Sequence, residues 1–158
     1  MSTEIFAKIG DIKGESVDIR HPDEIDVVSF SWGVANSATV APGGGGGAGR
    51  PTFQDLLFVH AIDSATPELL LTCATGRHLP QATISHRKVG ETQDYLTVKL
   101  SDVTVTAVAQ SGAEVQPYTE TVSLRFGKVD LLYRRRRPDG SLDEGRHFIF
   151  DVRTNQPG

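Results

Sequence analysis

The chain has 158 residues, with 16 Lys and Arg against 20 Asp and Glu for a formal net charge of -4. That length suits a single domain able to bury its own core, and the acidic balance argues against a dedicated nucleic-acid binder. The one cysteine, Cys73, excludes an internal disulfide, and no apolar stretch approaches the about 18 residues of a membrane-spanning helix. No basic start leads into an apolar run, so the expectation is a soluble protein made in the cytosol that uses no signal peptide to leave it.

In chain order, residues 4–9 read as a strand closed by Gly10, and Asp11 to Ser16 as a turn. A second strand is predicted over Ile25 to Val34, then a glycine-rich loop over about 36–52, then a strand from Phe53 to Ala61. The one convincing helix spans Thr66 to Thr75. Thr66 is its expected cap, Pro67 suits the first turn, Glu68 complements the dipole and Gly76 ends it. Leu69, Leu70, Cys73 and Ala74 are predicted to share the face that packs on the sheet. Four strands complete the chain: Ala82–Lys88, Tyr95–Val108, Thr119–Tyr133 and Arg146–Val152.

Two of these strands change phase midway. Leu96, Val98 and Leu100 give way to Val103, Val105 and Ala107, and Val122, Leu124 and Phe126 give way to Val129, Leu131 and Tyr133 across Gly127. A phase change within a strand requires a bulge or bend that keeps the apolar residues on one core. Bent strands suit a barrel, whose corners are made in this way. The alternative, that one of them is two short strands joined by a turn, stays open. The fold class expected is mainly β: a small closed or nearly closed β-barrel with one flanking short α-helix, as one domain over residues 1–158.

Gly43 to Gly47, with Ala48, Gly49 and Arg50, include the Gly-x4-Gly spacing of a phosphate-binding loop. Arg50-Pro51-Thr52 stands where Lys-Ser/Thr is required, and a strand-like run follows rather than a helix, so the nucleotide reading loses its chemistry. The remaining reading is a flexible loop ordered against a partner, with Gly43, Gly44, Gly45, Gly46, Gly47, Gly49 and Arg50 as a candidate assembly loop.

No other pattern carries chemistry. His21, His60, His78, His86 and His147 have no metal-ligand spacing, no Cys-x-x-Cys or Gly-x-Ser-x-Gly is present, and Cys73 sits on the helix's apolar face. His78 is expected to satisfy the helix's last carbonyls. Asp23, Glu24 and Asp26 read as a solvated strand entry or one side of a subunit contact. Arg134, Arg135, Arg136 and Arg137, before the turn Pro138-Asp139-Gly140, read as an exposed hairpin end or a clamp for an acidic partner. Trp32 reads as barrel core or subunit contact. The expectation is no enzyme, no cofactor and no metal.

Seven stretches in register resemble one family. Phe6-Ala7-Lys8-Ile9-Gly10-Asp11-Ile12-Lys13-Gly14-Glu15-Ser16, Glu24-Ile25-Asp26-Val27 and Ser31-Trp32-Gly33 precede the glycine loop. Gln54-Asp55-Leu56, Asp63-Ser64-Ala65-Thr66-Pro67, Gly76-Arg77-His78-Leu79-Pro80-Gln81-Ala82 and Arg87-Lys88 follow it. Together they resemble the haemolysin-coregulated proteins (Hcp), the tube proteins of type VI secretion. The resemblance covers nearly the whole chain and departs most at Arg134–Arg137. It implies a small β-barrel that forms hexameric rings, stacked into a tube that carries effector proteins. It implies as partners the chain itself, a spike protein, a contractile sheath and effector cargo, with no nucleic acid and no membrane insertion. The chain would be cytoplasmic when synthesised and secreted without a signal peptide. It ends near the last strand, so a fused toxin domain is not expected. The alternatives are a monomeric β-barrel ligand-binding module, the tube subunit of another contractile injection machine, and a small hydrolase.

Overall fold

A computed structural model of the chain describes residues 2–37 and 49–158. The candidate run Gly43–Gly47 therefore lies outside the described residues, while Gly49 and Arg50 lie within them.

The elements run β1 (Thr3–Ile9), β2 (Ile25–Val27), β3 (Ser29–Ser31), β4 (Val34–Asn36), β5 (Pro51–Phe53), β6 (Leu56–Ala61), α1 (Thr66–Thr75), β7 (His78–Lys88), β8 (Leu96–Ala113), β9 (Gln116–Tyr133), β10 (Arg146–Asp151) and β11 (Gln156–Pro157). One sheet runs β11-β10-β9-β8-β7-β1-β2, with β6 branching from β9 and carrying β3. The β2 end of this order meets the β6–β3 branch where β2, paired with β1, passes through Val28 into β3, paired with β6. The Val28 N–H donates to the Val59 carbonyl at 2.7 Å, bridging the corner. The result is a nearly closed barrel rather than a fully hydrogen-bonded ring.

The strands β1, β6, β7, β8 and β9 send one set of residues inward, joined by Ile25 of β2. Ala7, Ile9, Ile25, Leu56, Phe58, Ile84, Val98, Leu100, Val122, Leu124 and Val129 are buried in a single core. The expected phase change falls at one place in both long strands. Asp102 adopts φ 54° and stands opposite Gly127, between the pairs Ser101–Lys128 and Val103–Phe126. On the other side of Asp102, β7 places Pro80 between Leu79 and Gln81. Proline lacks the ladder donor, so the irregular row costs β7 no further hydrogen bond. The pairing register itself shifts further along, between Val105 and Ala107 and again between Ser111 and Ala113.

Several expected elements differ. The strand predicted over Ile25–Val34 is three short strands, because Val28 turns the corner and Trp32-Gly33 leads the chain off the sheet. Pro51–Phe53 belongs to the separate β4–β5 hairpin, so the strand expected from Phe53 divides at Gln54-Asp55. β8 and β9 also extend to Ala113 and from Gln116, forming a ribbon joined by Glu114-Val115.

The helix has the expected bounds and the expected αL glycine, with Gly76 at φ 67°. Its N-cap is Ala65 rather than Thr66, and no side chain caps it. Asp63 organises the entry instead: its carboxylate accepts the Ala65 N–H at 2.8 Å, while Thr66 Oγ1 accepts the Asp63 N–H at 3.1 Å. The buried face is Ala65, Thr66, Leu69 and Thr72, with Cys73 half-buried. Leu70 and Ala74 are exposed, so the face is rotated by about one residue from the expected one. His78 opens β7 and lies 3.4 Å from Asp102. The helix's last carbonyls are met instead by the Gly76 and Arg77 N–H groups.

Candidate assembly surface

The segment from Asp11 to Glu24 folds back across the outer face of β1. Ile12, Gly14 and Ser16 point inward and Lys13, Glu15 and Val17 outward, an alternation that fixes what the loop presents. Gly14 is needed because an added Cβ there would lie 2.6 Å from the Glu24 carbonyl oxygen. Backbone bonds from Gly14 and Ser16 to the carbonyls of Asp23 and Glu24, and from Asp23 to Ser16, tie the two limbs together.

At the tip, Asp18 turns inward. Its carboxylate accepts the N–H groups of Arg20 at 2.9 Å and His21 at 3.1 Å, and both of its oxygens accept from the Arg87 guanidinium of β7. Arg87 also donates to Glu4 at 2.8 Å and lies 5.3 Å from the Phe6 ring centroid. The Arg87 hydrogen bonds hold the Asp18 carboxyl well below the usual carboxylate range. With Asp18 fixed inward, its neighbours face solvent: Val17 is 99% exposed and Ile19 is 91% exposed.

The loop's second anchor is His21. Its ring stacks on Phe6 at 4.4 Å, with Nδ1 3.1 Å from Glu24 and Nε2 3.0 Å from Asp94 in the β7–β8 turn. Burial pushes the Glu24 carboxyl up, opposed by the adjacent His21 ring. Asp26, although exposed, is partly desolvated, which pushes its carboxyl up, reinforced by the carboxylates of Asp63, Asp18, Glu15 and Glu4.

The predicted contact residues separate within this arrangement. Glu24 joins the His21 anchor, Asp23 sits at φ 60° in the turn, and Asp26 is exposed on β2. The arginine run bonds to its own loop. Arg134 Nε donates to the Asp143 carbonyl, the Arg135 N–H to the Asp143 carboxylate, Arg136 to Gly140, and Arg137 to Leu142 and Glu144. Arg136 also pairs with Glu91 at 3.1 Å. Arg134 lines a cleft with Arg20, His21 and Asp94, but no ion pair joins Asp23, Glu24 or Asp26 to the run among the described residues. The arginines hold the 134–145 hairpin in shape, a role that the charge count alone does not reveal.

Gly49 and Arg50 enter β5 of the β4–β5 arm, where Asn36 Nδ2 donates to the Gly49 carbonyl at 2.7 Å. The arm is rooted on aromatic rings: Phe53 lies 6.0 Å from Phe126 and 5.2 Å from Phe150, and Trp32 6.2 Å from Phe126. Trp32 is thus half-buried at the root of the arm. Asp55, in the Gln54-Asp55-Leu56 stretch, accepts from Thr106 at 2.7 Å and Ser123 at 3.0 Å, binding β6 to the β8 bulge and β9. Sequence reading missed one buried pair, His60 Nε2 to Glu120 Oε1 at 2.9 Å, with Gln110 donating to the other carboxylate oxygen. Among the described residues, no group of three or more His, Cys, Asp or Glu side chains is arranged to hold a metal. No helix among the described residues is long and apolar enough to cross a membrane.

A family profile described as "Type VI secretion system effector, Hcp" matches residues 6–133. The chain is 44% identical to Protein hcp1 of Pseudomonas aeruginosa over 98% of each chain. It superimposes on the crystal structure of Hcp1 from Salmonella typhimurium with TM-score 0.83 and 33% identity, covering 100% of both chains. A structure of a type six secretion system protein has TM-score 0.93 at 22% identity, over 99% of this chain and 100% of that one, which is a likeness of fold.

Proposed function

The chain belongs to the Hcp family of type VI secretion proteins, and from that premise we propose that it is a ring subunit of the secretion tube, six copies closing head to tail and rings stacking along one axis. Head-to-tail rings need two different patches on each copy, one meeting the other on its neighbour. The observation that carries this reading is the displayed pair Val17 and Ile19, locked outward on a loop that the rest of the fold over-determines. Burying such side chains is worth about 1.5–3 kcal/mol each, so a fold that fixes them in water is arranged for a partner. The near-closed barrel supports the same reading, because it leaves few free strand edges and directs association to loops and faces.

In this account the chain performs no catalysis; effectors travel with the tube, and the spike and the contractile sheath are its other partners. The segment bearing Gly43–Gly47, carried between β4 and β5, reaches the adjacent ring, with Gly49 and Arg50 at its base. Asp23, Glu24 and Asp26 lie on or beside the loop that contacts the neighbour, and Arg134–Arg137 shape a second exposed hairpin. Secretion follows the machine rather than a signal peptide. Negative-stain images of the purified chain test the reading. Six-fold rings are expected, and single barrels at every concentration would contradict it.

A further inference from the structure

His21 faces a carboxylate at each ring nitrogen. Nδ1 lies 3.1 Å from both oxygens of Glu24, and Nε2 lies 3.0 Å from Oδ1 of Asp94. A neutral imidazole carries one N–H and one lone pair. With both carboxylates ionised, a neutral ring sets its lone pair against an oxygen lone pair at one of the two contacts. Both contacts become hydrogen bonds only when the ring holds a second proton.

The ring has little freedom to avoid that requirement. It stacks on Phe6 with 14° between the planes, and His21 is 7% exposed, so neither nitrogen can trade its carboxylate for bulk water while the ring stays in place. Among the described residues, neither the Glu24 nor the Asp94 carboxylate has another hydrogen-bond or ion-pair partner. The other charges around the ring divide in sign. The Asp18 carboxylate accepts the His21 backbone N–H, and Arg87 is engaged by Asp18 and Glu4. Arg20 and Arg134 rim the adjoining cleft, and Lys8 acts on Glu24 from β1. His86 feels Asp94 from β7 but is pulled down to about 4 by burial.

The two ties of the Asp11–Glu24 loop therefore differ in kind. A guanidinium stays charged at any working pH, so the Asp18–Arg87 tie does not depend on Arg87 gaining or losing a proton. The tie at His21 does, because imidazole is the side chain that titrates near neutrality.

We propose that His21, Glu24 and Asp94 form a proton-operated clasp: an imidazolium bridges the two carboxylates when the loop is seated, and losing its second proton as pH rises frees the His21 limb from the β7–β8 turn. The departing proton goes to water through the cleft, leaving one N–H for two carboxylates. Asp18 and Arg87 still hold the tip, so the loop loosens without leaving the barrel. Ile19 lies between the two ties and Val17 beside the first, so the proton sets how firmly both are presented. The clasp lies within one copy and goes beyond the ring reading without resting on it.

The seated loop binds a proton that the free loop releases. The clasp's contribution is thus complete below the ordinary imidazole value of about 6.5 and is lost as pH rises beyond it. Asp94→Asn is the informative replacement. Its amide can donate to Nε2 while Nδ1–H donates to Glu24, which satisfies both contacts with no second proton. Melting temperatures of the full-length unaltered chain and of Asp94→Asn are compared from about pH 5.5 to about pH 9, a span that brackets free imidazole. The unaltered chain is expected to lose stability relative to Asp94→Asn as pH rises. Glu24→Gln makes the same comparison from the other nitrogen, should Asp94→Asn fail to fold. NMR of the histidine-labelled chain, with His21→Gln identifying the signal, should show N–H on both ring nitrogens at the acid end. A single N–H there, or the same pH slope in the unaltered chain and the carboxamide variant, overturns the clasp. A chain that stays monomeric at every concentration removes the ring reading and leaves the clasp standing.

Discussion

Arg87 on β7 grips both carboxylate oxygens of Asp18, 69 residues away at the tip of the Asp11–Glu24 segment, while its guanidinium carbon lies 5.3 Å from the Phe6 ring centroid. The pair is a tether between barrel and loop. Replacing Arg87 with Met should leave the core strands folded, since the ladders of β1 and β7 use backbone groups alone. It should free the loop. Amide hydrogen exchange at Ser16, Arg20 and His21 is expected to quicken, while protection at Ile84 stays as it was. Equal loosening of Ile84 would show that Arg87 supports the sheet rather than the loop.

The same tether has an acid dependence. The Asp18 carboxyl titrates well below its unfolded value, so its contribution is fully present above the ordinary carboxylate range and is lost as pH falls through the lowered value. Asp18→Asn should therefore flatten the acid end of the stability curve. An unaltered acid limb would remove Asp18 from the account.

His86 acts in a higher window. It is buried against Phe30 with ring centroids 4.4 Å apart, its Nε2 has no hydrogen-bond partner among the described residues, and burial pulls it down to about 4. The unfolded chain binds this proton near 6.5 and the folded chain near 4, so stability is complete above about 6.5 and declines as pH falls between them. His86→Leu should remove that slope from melting temperatures measured between pH 4 and 7. Retention of the full slope would place its origin elsewhere.

His60 and Glu120 are both fully buried, 2.9 Å apart at the base of the β8–β9 ribbon. Truncating one member leaves an uncompensated polar group. Glu120→Ala is expected to cost about 3–5 kcal/mol in urea unfolding. The combined replacement His60→Leu/Glu120→Leu should recover much of that loss. Additive effects in this cycle would contradict direct coupling.

Much of this was legible from the chain because the core imposes its own pattern. The helix announced its ends through Pro67 and Gly76, and the phase changes at Leu100–Val103 and Phe126–Val129 located the bend at Asp102 and Gly127. The helix face was misjudged because Thr72, a hydroxyl residue, is buried while Leu70 is 40% exposed. The ribbon from Ala109 to Tyr118 was missed because both of its faces meet solvent, so no alternation marks it. Its turn, Glu114-Val115, also lacks the usual glycine or asparagine. The lock on Asp18 was illegible for a different reason. Its partner lies far along the sequence, and only the folded sheet brings Arg87 under the loop. The arginine run shows the converse: its charge was obvious, but its bonds to Gly140, Leu142, Asp143 and Glu144 depend on the shape of the hairpin.

The most direct measurement is native mass spectrometry of the purified full-length chain. A dominant species at six times the 17.1 kDa chain mass is the result this account predicts. A single-chain mass at every concentration that sediments would contradict it.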